Sequence, residues 1–317
     1  MRTRSVARTA ALSLAMAAAT ALLATACSSA TAAGNRGGTG GTDSIQAIGA
    51  ENEYANVIQQ IGGKYVQVTA IMSNPNTDPH TFEASPAVAR EISNASLIVQ
   101  NGVGYDTWAS DIEKAVPASS RMIVDVQQLL GLPDSTPNPH LWYNPTTMPK
   151  VATAIANDLA AIQPAHASYF KANAATFTQS LTKWTQAIAA FKAAHPNTPV
   201  ATTEPVADYM LQAAGADNMT PWALQADIMN GTDPSPQNVA AEKALFTQHK
   251  VKVFLYNQQV TDTLTDSFID LAHASGVPVV GVYETMPTPG YDYQTWMTAE
   301  VNALDKAVTA KVSTEHL

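Results

Sequence analysis

Short apolar runs alternate along this chain with stretches of helical period. Ser44 to Ala50 is a strand-like run and Asn52 to Ile61 an amphipathic stretch. Val66 to Met72 alternates as a half-buried strand does, and Pro86 to Ala95 reads as a helix with proline in its first turn, where the missing N–H costs nothing. Leu97 to Val99 and Met122 to Val124 are further short strand candidates. The order repeats beyond residue 196. Val200 to Thr203, Val251 to Tyr256 and Val277 to Tyr283 read as strands, and Val206 to Ala214, Gln237 to His249, Asp262 to Ser275 and Tyr293 to Val312 as helices. Strands alternating with helices predict α/β architecture with mostly parallel sheets. No short-period repeat is present, only two similar halves.

A different object separates the halves. After a helical stretch from Thr147 to Ile162, the chain runs from Ala165 to Ala194 without Gly or Pro. Phe170, Phe177, Leu181, Trp184, Ile188 and Phe191 fall on one helical stripe. A continuous helix of that length spans roughly 45 Å. It predicts a rigid rod packed against both halves. The expected divisions are a first α/β domain over 43–164, a linking helix over 165–195 and a second α/β domain over 196–317.

The front of the chain belongs to neither half. Arg2, Arg4 and Arg8 precede an uncharged Ala/Leu-rich stretch that ends before Cys27, the only cysteine. Residues 1–26 read as a secretory signal peptide. A single cysteine directly behind it resembles the lipobox of bacterial lipoproteins and predicts lipid attachment at Cys27. The match departs in one place, since Leu23 lies four residues before the cysteine where three is usual. Ser28 to Thr42, built from small polar residues, predicts a flexible tether reaching roughly 20 Å. With one cysteine, no disulfide forms within the chain and the core alone stabilises the fold. Removing the three signal arginines from 17 basic residues leaves 14 against 26 acids, a formal charge of −12. That balance argues against nucleic acid or anionic lipid as partners.

Candidate chemistry concentrates at four residues. His80 lies in Asp78-Pro79-His80-Thr81-Phe82-Glu83, and His140 in Asn138-Pro139-His140-Leu141-Trp142. Glu204 and Glu284 each follow a strand-like run. Two imidazoles and two carboxylates at element ends suffice for one divalent transition metal. Their ligand charge of −2 neutralises M²⁺, so a buried site carries no uncompensated charge. His166, His195, His249, His273 and His316 lie outside such motifs and read as structural or solvated. Glu83 reads as a supporting or surface acid.

These motifs together resemble the zinc/manganese receptor lipoproteins of bacterial ABC importers. Asp78-Pro79-His80-Thr81-Phe82-Glu83 resembles that family's first-ligand loop. Pro139-His140-Leu141-Trp142, followed by Asn144-Pro145 where Asp-Pro is more usual, resembles its second. Asn173-Ala174-Ala175-Thr176-Phe177 with Leu181 resembles the start of its linking helix. The resemblance implies a metal site in the interdomain cleft, with Glu204 as third ligand and Glu284 as fourth; Asp292 is the rival for the fourth place. It also implies an ABC permease as partner, a membrane reached through the lipid anchor, a monomer, and no catalysis. The His-rich acidic loop frequent in the zinc-selective branch is missing from Gly131 to Asn138. Two carboxylates tilt towards manganese, whereas the exported setting and the Irving–Williams order tilt the balance to zinc as cargo. The stiff linker predicts only small closure on metal loading.

Two other readings compete. A secreted zinc hydrolase would use Glu204 or Glu284 as general base, yet the sequence contains no His-Glu-x-x-His, no Gly-x-Ser-x-Gly and no cysteine nucleophile. A receptor for an organic ligand or metal chelate would draw on Trp142, Trp222 and Trp296 for an aromatic pocket.

Overall fold

The computed structural model describes residues 44–76 and 78–317. The predicted signal peptide, Cys27 lipid attachment and tether lie outside the described residues. The first half contains β1 (Ile45–Glu51), α1 (Asn52–Gly62), β2 (Val66–Met72), α2 (Pro86–Asn94), β3 (Leu97–Gln100), α3 (Thr107–Ala115), β4 (Met122–Asp125) and α4 (Val126–Leu130). Then come α5 (Thr147–Ile162), α6 (Ala167–Ser180) and α7 (Thr182–Ala194). The second half contains β5 (Thr198–Thr202), α8 (Asp208–Ala213), β6 (Ala216–Asn218), α9 (Trp222–Met229), α10 (Pro236–Thr247), β7 (Val253–Asn257), α11 (Thr263–Ala274), β8 (Val279–Val282) and α12 (Tyr293–Ala310).

Each half builds a four-stranded sheet, ordered β2-β1-β3-β4 and β6-β5-β7-β8. Every strand pairing between these strands is parallel. The two orders are the same permutation, so the similarity of the halves is topological. Parallel strands need helical crossovers that cover the sheet, and buried strands then lose the alternating pattern. β3, β7 and β8 are buried at every position.

The expected single helix over 165–194 is divided. Pro164–His166 forms a 3₁₀ turn, α6 follows, and Leu181 interrupts before α7. The cause is local competition for backbone carbonyls. Ser180 Oγ donates to Phe177 O at 2.6 Å and Thr182 Oγ1 to Gln179 O at 2.6 Å. Leu181 N turns to Thr178 O, three residues back, and Gln179 O in place of a partner four residues back. Hydroxyl back-bonding of this kind tightens or bends a helix. The stripe itself is as expected: Phe170, Phe177, Leu181, Trp184, Ile188 and Phe191 are all buried. α6 packs on α1 and α5, while α7 packs on α8 and α12, so the rod contacts both halves.

One apolar cluster runs through both sheets, from Leu97 and Val99 to Val253, Val280 and Val282. Hydrogen bonds tie the halves together beside it. Asn52 Nδ2 donates to Met286 O at 2.8 Å and its Oδ1 accepts from Met286 N at 2.9 Å. Tyr143 Oη donates to Tyr283 O at 2.8 Å and Tyr293 Oη to Trp142 O at 2.5 Å. Wide opening would leave these buried groups unpaired, which is costly.

Glu300 sits in this shared interior. Its Oε1 accepts from Trp296 Nε1 at 3.0 Å and lies 3.2 Å from Tyr143 Oη. Burial pushes its pKa up to about 8. The folded state therefore holds a proton that the unfolded chain releases above its ordinary carboxylate range. Stability is lost progressively as pH rises from that range to about 8. Glu300→Gln keeps the acceptor and removes the ionisation. It is expected to gain stability on the order of a few kcal/mol at pH 8 relative to pH 5. Urea melts of both proteins across that range check this; parallel pH profiles would contradict it.

Candidate metal site

Ligands of parallel α/β sheets lie beyond the carboxyl ends of the strands, and all four candidates lie there or in the loops that follow. Glu204 comes two residues after β5 and Glu284 two residues after β8. His80 lies in a 3₁₀ turn, Pro79–Thr81, in the segment after β2. His140 follows α4 and begins a second 3₁₀ turn, Leu141–Tyr143.

The two Pro-His loops share a physical device. Asp78 Oδ1 accepts from His80 N at 2.8 Å, and Asn138 Oδ1 accepts from His140 N at 3.0 Å. An acidic or amide side chain two residues before the histidine closes the turn, and the intervening proline presets its backbone. Asn138 does more. Its Oδ1 also lies 2.8 Å from His140 Nδ1, and its Nδ2 donates to Pro205 O at 2.7 Å. The Asn138 side-chain carbonyl thus accepts from Nδ1–H, which leaves the Nε2 lone pair facing inwards. Nδ2 links the His140 loop to the residue after Glu204.

His80, His140 and Glu284 converge, with one potential ligand atom from each within 4.8 Å of the others. His80 Nε2 lies 3.1 Å and His140 Nε2 3.2 Å from Glu284 Oε2. Tyr105 Oη donates to the same oxygen at 2.8 Å, its ring edge-on to both imidazoles. His140 and Glu284 are fully buried; the His80 side chain keeps 20% exposure. Glu204, 2% exposed, does not join the triad directly. Asn257 Nδ2 bridges it to Glu284, donating to Glu204 Oε1 at 3.2 Å and Glu284 Oε1 at 2.6 Å. Glu204 Oε2 is buried without a hydrogen-bond partner among the described residues.

The electrostatics follow. Burial acts against ionisation of Glu284, but the two facing imidazoles outweigh it and hold the carboxyl well below the usual range. Burial also disfavours charge on His80, yet the Glu284 carboxylate prevails and raises its pKa. His140 has no exposed face, so burial wins over the pull of Glu284 and lowers its pKa. Burial, then repulsion from Glu284, drives the Glu204 pKa far up. Two imidazole lone pairs against a carboxylate oxygen, with a second carboxyl held nearby, form a donor set that only a cation satisfies: a proton, or a metal accepting nitrogen and oxygen.

The other candidates go elsewhere. Asp292 caps α12, accepting from Thr295 N at 2.9 Å. Glu83 is exposed. His166 stacks on Tyr65, and His195 and His273 face Asp305 and Glu315. Trp142 and Trp296 are core residues, and Trp222 is 44% exposed. A cavity of about 260 Å³ opens beside the His80 loop, lined by Met72, Asp78, Pro79, Phe82 and Thr285 among others. The larger pocket, about 780 Å³, is lined by residues of the β3–α4 region and touches none of the four candidates. Sequence reasoning missed Tyr105, Asn138 as a ring partner, and Asn257. Of these, only Asn138 left a signal, its place in a second Asx-Pro-His triplet.

Two parallel-sheet lobes around a buried His/His/Glu cluster, with a second glutamate alongside, define a two-lobed solute-binding architecture with a cation-ready centre. Residues 50–307 match the family model for the periplasmic zinc-uptake complex component A, ZnuA, and the chain belongs to that family. The manganese-binding lipoprotein MntA of Bacillus subtilis (strain 168) is 25% identical over 151 residues, 45% of this chain and about half (49%) of that protein. The manganese ABC transporter substrate-binding lipoprotein PsaA of Streptococcus pneumoniae is 24% identical over 238 residues, 70% of this chain and 74% of that protein. In fold, the periplasmic zinc-binding protein TroA from Treponema pallidum superposes with a TM-score of 0.71 at 18% identity, covering 86% of this chain and all of TroA.

Proposed function

We propose that this protein captures one divalent transition metal between its lobes and delivers it to the permease of an ABC importer. The observation that carries this reading is the convergence of His80 Nε2 and His140 Nε2 on Glu284 Oε2 at 3.1 and 3.2 Å. His80, His140 and Glu284 form the core of the ligand set, and Glu204 completes it by turning its unpartnered Oε2 to the metal. The metal is cargo, and no reaction is assigned to the site. The lobes are taken as residues 43–164 and 196–317, linked by 165–195. Zinc is the expected cargo over manganese, since zinc binds more tightly than manganese to most nitrogen and oxygen donor sets.

No helix among the described residues is long and apolar enough to cross a membrane. We place the protein on the outer face of the cell membrane, held as a monomer by a lipid on Cys27, with no nucleic-acid partner. MntA and PsaA are both named as lipoproteins, which supports this placement.

The test is metal stoichiometry. Protein beginning at Ser28, stripped with a chelator, is expected to take up one zinc ion per chain by elemental analysis and calorimetry. Failure to bind any divalent transition metal would end the receptor reading.

A further inference from the structure

Asn257, the last residue of β7, is fully buried and touches no candidate ligand through its own carbonyl. Its backbone N donates to Thr203 Oγ1 at 2.9 Å, which fixes its place against the loop before Glu204. Its Oδ1 accepts from Gln259 N at 3.0 Å. That contact determines the orientation of the amide, because a backbone N–H meets only the oxygen side. The NH₂ group therefore faces the two carboxylates. It has two hydrogens, and one goes to each: Glu284 Oε1 at 2.6 Å and Glu204 Oε1 at 3.2 Å.

This arrangement ties Oε1 of each glutamate to Asn257 and leaves Oε2 of each outside its reach. Glu284 Oε2 faces the imidazoles and accepts from Tyr105 Oη at 2.8 Å, and Glu204 Oε2 is unpartnered among the described residues. Gln259 Oε1 holds Glu284 from behind, accepting from Glu284 N at 2.6 Å and Thr285 N at 2.7 Å. With the Glu284 backbone fixed in this way, turning the carboxylate to present both oxygens would break the Asn257 contact. With Oε1 of each glutamate held by Asn257, the atoms that face the site are Nε2 of His80 and His140 and Oε2 of the two glutamates, two nitrogens and two oxygens. Four such donors suit tetrahedral zinc, whereas manganese favours a larger, oxygen-rich shell.

We propose that Asn257 is a positioning residue that sets metal selectivity: by holding Glu204 and Glu284 to one oxygen each, it limits the site to four donors and favours zinc over manganese. This rests on the receptor reading above. Removing the amide frees Oε1 of both carboxylates, so each can bind a metal through two oxygens and raise the coordination number.

Competition calorimetry with zinc and manganese, together with X-ray absorption of the zinc-loaded protein, tests this on wild type, Asn257→Leu and Asn257→Ala. The leucine variant preserves volume without donors; the alanine variant leaves room for the carboxylates to move. Wild type is expected to hold zinc in a four-coordinate shell. In the variants the zinc-to-manganese affinity ratio is expected to fall by about tenfold or more, and the number of oxygens around zinc to rise. A ratio unchanged in the variants, or both affinities reduced equally with the shell still four-coordinate, overturns the assignment and leaves the receptor reading intact. Zinc bound by wild type through both oxygens of a glutamate overturns it without any variant. Wild-type protein that binds neither metal overturns the receptor reading and this inference together.

Discussion

Replacing His140 with alanine is expected to weaken zinc binding more than ~100-fold, since groups that merely orient a ligand are already worth ~10–100-fold. His140 is fully buried, its Nδ1 is held by Asn138, and its Nε2 faces Glu284 at 3.2 Å. No neighbouring imidazole can replace it, because His80 already occupies the other side of the same carboxylate oxygen. His166→Ala, which removes a ring stacked on Tyr65, is the control and is expected to leave binding unchanged. Calorimetry on the three proteins decides the matter, and near-normal affinity in His140→Ala would remove it from the ligand set.

The same measurement carries a pH signature. A metal ion must displace the proton that Glu284 favours on His80 and the one that burial favours on Glu204. Each displaced proton weakens apparent affinity about tenfold per pH unit below the pKa concerned. Affinity should therefore fall as pH drops through the histidine range and already decline above it. Saturating metal at about a hundred times its dissociation constant should add ~2.7 kcal/mol of stability at neutral pH. That increment should shrink in acid.

Trp184→Ala is expected to cost ~3–5 kcal/mol, the range for deleting a large buried aromatic ring. Trp184 is fully buried on α7 and meets Tyr293 of α12 edge-on at 6.0 Å. Tyr293 in turn donates to Trp142 O, and the Trp142 ring lies against His140 at 5.4 Å. The rod, the last helix and the His140 loop thus share one packed column. For a body of this size the melting temperature should drop by roughly 10 °C. Gln186→Ala, exposed on the same helix, should stay within about 0.5 kcal/mol of wild type. A cost for Trp184→Ala no larger than the control's would mean that α7 is not part of the shared core.

Which elements were readable depended on how much apolar surface each buries. β3, β7 and β8 are buried throughout and stand out as apolar runs. β6 is three residues, Ala-Asp-Asn, at a sheet edge, and carries no such pattern. α3 buries only Ala109, and α9 opens on the exposed Trp222, so neither shows a clear stripe. The break at Leu181 escaped a reading based on Gly and Pro, because serine and threonine hydroxyls caused it.

The linear chain determined the alternation of strands and helices, the buried stripe from Phe170 to Phe191, and both Asx-Pro-His turns. Each depends on interactions within a few residues, or on a periodicity that burial imposes directly. It also placed Glu204 and Glu284 just beyond apolar strands, where parallel sheets gather ligands. Only the tertiary structure decided that His80, His140 and Glu284 meet at one oxygen while Glu204 stands one amide away. Only it brought in Tyr105, 179 residues from Glu284, and Asn257, 53 residues from Glu204. The reason is physical: a side chain that orients a ligand is chosen by distance across the folded interior. A tyrosine or asparagine does that work without altering the local pattern that would reveal it.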